Sequence, residues 1–243
     1  MYEPMDAHPI TLIVIMAALL VTPFYLLCTY VFSGASARKG ALAGGAFLIW
    51  GAAMTWFCLA GILQGLGPLG SLVVPVCWLT PSLILLLRRD WFLDTPLSQR
   101  WLIGLQLWRV IGGVFLIEMV GGNIPGVFAY PAGLGDILVA AVAATVLIFY
   151  RNRDEVPRAA VLLVFCLGVA DFLSAFFFGF TSSVGPQQLF FPAVANNSLM
   201  FPTGMIPLFL VPYAIFFHTL SILALRQREA GLRRLTARPG PEH

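Results

Sequence analysis

Six polar side chains lie inside long apolar stretches of this sequence, and five of them are ionisable. They are Gln106, Arg109, Glu118, Asp136, Asp171 and His218. If these stretches cross a bilayer, each charge costs about 2.5–3.5 kcal/mol on insertion scales, so such residues are retained where they pair or bind something. The six are therefore the candidates for an intramembrane polar site.

Three of the six are predicted to meet at a similar depth. A helix rises about 1.5 Å per residue. Arg109 lies nine residues beyond Arg100, and His218 lies eight residues before Arg226, which places both roughly 12–14 Å from the basic ends of their helices. Asp171 lies roughly 20 Å in, near the midplane. Arg109 and Asp171 are the expected ion pair, because an unpaired buried charge is worse than a paired one.

Glu118 and Asp136 are predicted to lie nearer the opposite face, on either side of the connection 121–135. A helix that starts at Leu134 places Asp136 in its first turn, where a carboxylate complements the helix dipole. Glu118 lies near a helix C-terminus, where a negative charge is disfavoured. It is expected to be protonated, paired or at the level of the lipid headgroups.

The fourth apolar stretch carries a polar stripe. With helical spacing, Gln106, Arg109 and Gly113 share one face. Glu118 is half a turn out of phase with Arg109, so the two are not expected to pair. Gly112 and Gly113 allow another backbone to approach closely. Two interpretations stay open, a buried contact that fixes helix packing and a site for a substrate, proton or ligand. For His218 they are a proton relay and an interhelical hydrogen bond.

The sequence carries no catalytic or metal-binding signature. It contains no His-Glu-x-x-His, no Gly-x-Ser-x-Gly and no phosphate loop. Its four cysteines form no Cys-x-x-Cys pair, and only one of its three histidines lies in an apolar stretch, so no metal site is predicted. We expect that the protein is not an enzyme. The alternative is a membrane enzyme that acts on a lipid substrate through Glu118, Asp136 or His218. The cofactor stays unknown.

Composition decides the class of protein. Of 243 residues, 59% are hydrophobic and 10% are charged, and the mean hydropathy is +0.89. A soluble domain has about 25% charged residues, so most of this chain is expected to contact lipid. No basic cluster resembles a nucleic-acid-binding patch. The predicted partners are the lipid bilayer and either another membrane protein or a second copy of this chain.

Seven stretches are long enough to cross a bilayer, which takes about 20 apolar residues each. We therefore predict an all-α, polytopic transmembrane bundle of seven helices in a single membrane domain, followed by a short basic tail at 226–243. The predicted spans are residues 10–32, 41–63, 69–87, 101–120, 134–150, 159–180 and 205–225.

The basic residues predict the orientation. Lys and Arg accumulate on the cytoplasmic side of membrane proteins. Thirteen of the 14 basic residues fall in alternate connections or the tail, and Arg109 is the exception. This split predicts the N-terminus outside and the C-terminus in the cytoplasm, and short connections favour a bacterial cytoplasmic (inner) membrane. The thirteen are Arg38, Lys39, Arg88, Arg89, Arg100, Arg151, Arg153, Arg158, Arg226, Arg228, Arg233, Arg234 and Arg238.

Two classes of function fit these features. The first is a small-solute or proton-coupled transporter, favoured by the intramembrane charges and by the proline positions 75, 81, 207 and 212, which loosen helices where transporters need unwound backbone. The second is a non-catalytic membrane subunit or sensor that binds a partner complex, a lipid or a pigment. Its support is the aromatic and glycine content together with the missing catalytic motifs.

Overall fold

The protein is an all-helical bundle in the computed structural model, which describes residues 5–153 and 155–236. Helix accounts for 77% of the described residues, and that part of the chain contains no strand. Seven helical segments in that part are long and apolar enough to cross a membrane, which confirms the predicted fold class. They are Pro9–Phe32, Ala37–Leu59, Leu69–Leu87, Gln99–Val120, Gly126–Phe149, Arg158–Ser182 and Ile206–Gly231, called here the first to seventh spans.

Several spans combine more than one type of helix. Two 3₁₀ segments, Gly67–Leu72 and Leu105–Gly113, lie in the third and fourth spans, and a π-helical turn, Ile206–Leu210, begins the seventh. The α-helices are α1 Pro9–Phe32, α2 Ala37–Leu59, α3 Ile62–Gly65, α4 Val73–Leu87, α5 Arg89–Phe92, α6 Gln99–Gly104, α7 Val114–Val120, α8 Gly126–Phe149, α9 Arg158–Ser182 and α10 Val211–Thr236.

Two helices start earlier in the chain than predicted. α2 begins at Ala37 and ends before Gly61, whose φ of +64° needs a residue without a Cβ. α8 begins at Gly126, directly after the extended residue Pro125, so Pro131 lies within the helix. The connection before α8 is correspondingly short. The predicted tail continues α10 as far as residue 236, and residues 237–243 lie outside the described part.

The seventh span forms the centre of the bundle. In its most apolar 18-residue stretch, 78% of the residues are buried, whereas the corresponding share in the other six spans is 28–44%. Its aromatic side chains Phe209, Tyr213, Phe216 and Phe217 are almost fully inaccessible and pack partly on Phe47 of α2. The outward side chains of the peripheral spans are large and apolar, as a surface in contact with lipid requires.

The start of the seventh span explains how the bundle accommodates two prolines. The Val211 amide donates to the Ile206 carbonyl, five residues back. The next bond in this pattern would run from Pro212 to the Pro207 carbonyl, but proline has no N–H. The Trp78 indole donates to that carbonyl instead, at 2.8 Å, and a second indole, that of Trp50, donates to Leu208 O at 3.0 Å.

Candidate intramembrane site

The fourth span changes from α to 3₁₀ geometry where its polar residues lie. The 3₁₀ segment is nine residues long, although such runs seldom exceed three or four. Residues three apart share a face in this geometry, and Gln106, Arg109 and Gly112 are all buried. The predicted stripe ending at Gly113 is therefore wrong by one residue, because it assumed the α-helical period.

Arg109 binds two aspartates from neighbouring spans. Its side chain is inaccessible to solvent. Nε donates to Asp136 Oδ1 of α8 at 2.7 Å, and Nη2 donates to Asp171 Oδ2 of α9. Nη1 donates to the Gly168 carbonyl at 3.4 Å, and the guanidinium carbon lies 3.9 Å from the centre of the Phe172 ring. The predicted ion pair with Asp171 is present, and Asp136 is a second partner.

The role expected for Asp136 is wrong. Because α8 starts at Gly126, Asp136 lies almost three turns into the helix, beyond the reach of the amide groups at its N-terminus. It is 6% exposed and pairs with Arg109. The sequence placed it near the face of the membrane because the helix was expected to start at Leu134.

Three glycines make room for this cluster. A Cβ at Gly112 would overlap the carboxyl group of Asp136, and one at Gly135 would overlap that of Asp171. A Cβ at Gly168 would overlap the His218 ring and lie 3.0 Å from Arg109 Nη1. Of the three, only Gly112 was singled out from the sequence. The other two show no pattern that distinguishes them from ordinary glycines in apolar helices.

The cluster carries an excess of negative charge. One guanidinium faces two carboxylates, so the formal charge of the three ionised side chains is −1. The side chains of Asp136 and Asp171 are only 9% and 7% exposed. Asp136 Oδ2 and Asp171 Oδ1 accept no hydrogen bond from any described residue. An unbalanced buried charge is costly, so the cluster favours a further positive charge, either a proton or another cation.

His218 and Gln106 lie buried without the partners that their polar atoms need. His218 of α10 lies at the Gly168 contact beside Arg109, between the rings of Phe165 and Phe172. Its Nε2 has no hydrogen-bond partner in the described part of the chain, and neither do the two side-chain heteroatoms of Gln106. The interhelical hydrogen bond considered for His218 is therefore not formed by Nε2 with any residue that the structure describes. Of the six candidates, Arg109, Asp136, Asp171 and His218 come together.

Glu118 belongs to a different contact. It is fully buried and accepts from the His8 backbone amide at 3.0 Å and from Asn123 Nδ2 at 2.8 Å. Asn123 Nδ2 also lies 2.9 Å from the carbonyl of Asp6. These bonds fasten the start of α1 to the end of α7. Glu118 therefore has hydrogen-bond partners but no ion pair with a described residue, and it offers a buried carboxylate outside the Arg109 cluster for comparison.

A cavity reaches the cluster from one end of the bundle. It has a volume of about 600 Å³ including its open mouth, and both Asp136 and Asp171 line it. Ser183, Ser198 and Leu199 of the long connection after α9 border it too. Its wall is aromatic and comprises Trp78, Phe115, Phe128, Phe172, Phe176 and Phe180. No basic side chain of the described residues lines it, because Arg109 lies behind the two carboxylates.

The arrangement of the cluster suits binding. No group of three or more His, Cys, Asp or Glu residues able to hold a metal occurs among the described residues. The carboxylates are held by Arg109, face the cavity and leave one oxygen each without a partner among the described residues. These features allow the cluster to attract a cation or exchange a proton.

Comparison with known proteins gives a family for the chain but no function. No curated protein and no solved structure matches it. One family profile matches residues 68–226, which covers the third to sixth spans, most of the seventh and all members of the Arg109 cluster. The chain is a multi-pass membrane protein that belongs to the family described as "Domain of unknown function (DUF8737)".

Proposed function

We propose that this protein is a small-solute transporter coupled to protons. The observation that carries the proposal is the cluster of Arg109, Asp136 and Asp171 at the base of an open cavity inside the bundle. Ionisable residues within membrane spans face cavities or pathways and mark transport routes more often than they serve packing alone.

The unequal charge supports coupling to protons. A buried cluster that served only to hold helices together would be more stable if each carboxylate had its own positive partner, whereas here one guanidinium serves two carboxylates. With the formal charge at −1, a proton or a solute cation can each balance the site. Binding of one then lowers the need for the other, which is the exchange that a coupled carrier requires.

The backbone around the site supports movement. The 3₁₀ segment Leu105–Gly113 carries Arg109, and the π turn Ile206–Leu210 lies against the same cavity through Ile206 and Pro207. Long 3₁₀ stretches and π turns mark hinges or functional positions in helices. Transporters commonly place binding sites where membrane helices are irregular. The π turn borders the cavity, and the 3₁₀ segment carries the arginine that binds the two carboxylates in its lining.

The location that we propose is a bacterial cytoplasmic membrane with the C-terminus inside. Its support is the one-sided distribution of the arginines. The cavity would then open outward. Reporter fusions at the two termini test this orientation, and activity of both reporters in the same compartment would contradict it.

Proton movement in proteoliposomes tests the function. The purified chain is reconstituted in vesicles that contain a trapped pH indicator, and single amines, amino acids and sugars are added outside. At least one solute is expected to move protons with the wild type, and Asp171→Asn is expected to abolish that response. Glu118→Gln is the matched control, because it removes an equally buried carboxylate outside the cavity. Equal responses from wild type and Asp171→Asn would contradict the proposal.

The alternative is a membrane sensor or subunit that binds a ligand or partner without transport. The aromatic lining of the cavity favours it, since this lining suits a bound lipid or pigment as well as a passing solute. It predicts that the chain is purified with a companion protein or lipid after mild extraction. A chain that moves protons with a solute and carries neither companion would contradict the alternative.

A further inference from the structure

We propose that the cavity takes an organic monocation with an apolar body, such as an aromatic or alkyl ammonium compound. This inference rests on the proposed function and specifies its substrate class. The charge of the cluster, the aromatic wall and the shape of the cavity point to the same kind of molecule.

The charge excludes anions. The charged side chains that line the cavity are Asp136 and Asp171, and the guanidinium that they share lies outside the lining. An incoming anion would meet carboxylate oxygens first and would add to a formal charge of −1. An incoming monocation reduces the formal charge to zero, so the electrostatic preference is for one positive charge.

The wall favours an organic cation over a hydrated metal ion. Aromatic rings attract cations through their negative faces, and this attraction recognises ammonium groups in particular. Trp78 lies with ring centres 5.9 Å from Phe172 and 5.7 Å from Phe176, and Phe176 stacks on Phe180 at 5.5 Å. A bare inorganic ion would need several oxygen ligands, whereas the base of this cavity offers one unpartnered oxygen from each aspartate.

The position of the two carboxylates in the cavity determines where the positive charge of a ligand would lie. Ser183 and Ser198, which belong to the long connection after α9, border the cavity, and the carboxylates lie deep in the bundle. A compound with its ammonium group at one end can place that group against the carboxylates while its apolar part contacts the rings.

Equilibrium binding of a matched set of probes tests the inference. Benzyltrimethylammonium is the cation, neopentylbenzene has the same shape without charge, and phenylmethanesulfonate is an anion of similar shape. Each is titrated calorimetrically into the full chain in phosphatidylcholine nanodiscs, with empty nanodiscs subtracted. The cation is expected to bind at least tenfold more tightly than either other probe. Equal affinity for the neutral or anionic probe, or binding of none of the three, would overturn the inference.

Two pairs of variants locate the binding. Asp171→Asn is expected to weaken the cation at least tenfold, while Glu118→Gln changes its affinity less than twofold. Phe176→Leu, in the wall, is expected to weaken it severalfold, and Phe177→Leu, which is 49% exposed and outside the lining, leaves it unchanged. Asp136→Asn repeats the first test if Asp171→Asn does not fold. Cation binding that survives both asparagine variants would contradict the inference.

Binding and flux separate this inference from the proposed function. A chain that binds benzyltrimethylammonium through Asp171 but moves no protons with any solute supports the ligand class and contradicts transport. A chain that moves protons with another solute and does not bind the cation contradicts the ligand class alone.

Discussion

Removal of the arginine and removal of one aspartate are expected to affect stability very differently. Arg109→Gln leaves two carboxylates buried with no positive charge beside them, a formal charge of −2. Asp171→Asn leaves one guanidinium with one carboxylate, a formal charge of zero. The Asn side chain is close to isosteric and still offers an oxygen to Arg109 Nη2. The asymmetry follows from the count of charges in the cluster.

The structure sets the size of the expected difference. Arg109 has no accessible surface, and both of its carboxylate partners are less than one-tenth exposed. Removing one member of such a pair and leaving a buried charge costs about 3–5 kcal/mol. At 2–4 °C per kcal/mol for a chain of this size, Arg109→Gln should lower the melting temperature by roughly 6–20 °C. Asp171→Asn should change the free energy of unfolding by less than about 1 kcal/mol, in either direction.

Thermal unfolding in one detergent, followed by intrinsic fluorescence, measures both variants under the same conditions. The triple variant with Arg109→Gln, Asp136→Asn and Asp171→Asn is the control, because it removes all three charges and should recover most of the loss. Equal destabilisation by Arg109→Gln and Asp171→Asn would refute the reasoning. A triple variant as unstable as Arg109→Gln alone would show that the loss comes from packing rather than charge.

Three further predictions concern the surroundings of the site. Gly112→Ala should destabilise the chain by about 1–3 kcal/mol, since its Cβ would overlap the Asp136 carboxyl group. Gly113→Ala should be tolerated, because its Cβ would lie 3.6 Å from its nearest neighbour, and equal melting temperatures of the two variants would contradict this prediction. Trp78→Phe leaves the Pro207 carbonyl without its hydrogen bond and should lower the free energy of unfolding by about 1–3 kcal/mol. Adding Pro212→Ala supplies a backbone N–H and should recover part of that loss, and no recovery would count against the π-helical hydrogen-bond pattern. In the connection between the third and fourth spans, a hydrogen bond from Lys39 lowers the pKa of Asp94, so this contact stabilises the fold above the ordinary aspartate pKa and loses its effect as the pH falls through the lowered value. The difference in melting temperature between wild type and Asp94→Asn should therefore shrink on acidification, and a difference that grows would contradict the assignment.

Most of the architecture could be predicted from the sequence because lipid imposes strong rules. A bilayer requires about 20 apolar residues per helix, so the seven spans stand out from short polar connections. The ion pair between Arg109 and Asp171 followed from the same rule, since two opposite charges at similar depth have few other ways to be satisfied. The orientation of the termini stays a prediction.

The details of the site depended on departures from regular helix. Asp136 was assigned to a helix start because the helix was expected to begin at Leu134, after Pro131, but α8 begins at Gly126 and continues through that proline. Gly113 was placed on the polar face because the α-helical period was assumed, whereas the 3₁₀ segment brings Gly112 there. Gly135 and Gly168 could not have been identified, since their role depends on which side chains of other spans lie against them.

The central claim is that a water-accessible cavity ends at a negatively charged cluster inside the bundle, and cysteine modification measures this directly. Ala175 lines the cavity and is partly buried. In a background without the four native cysteines, Ala175→Cys is treated with a cationic and an anionic methanethiosulfonate reagent of similar size, and each rate is normalised to that of a free thiol. The cationic reagent should react at least tenfold faster than the anionic one, and Asp171→Asn should remove most of that preference. A cysteine that neither reagent modifies, or that both modify equally fast, would contradict the account.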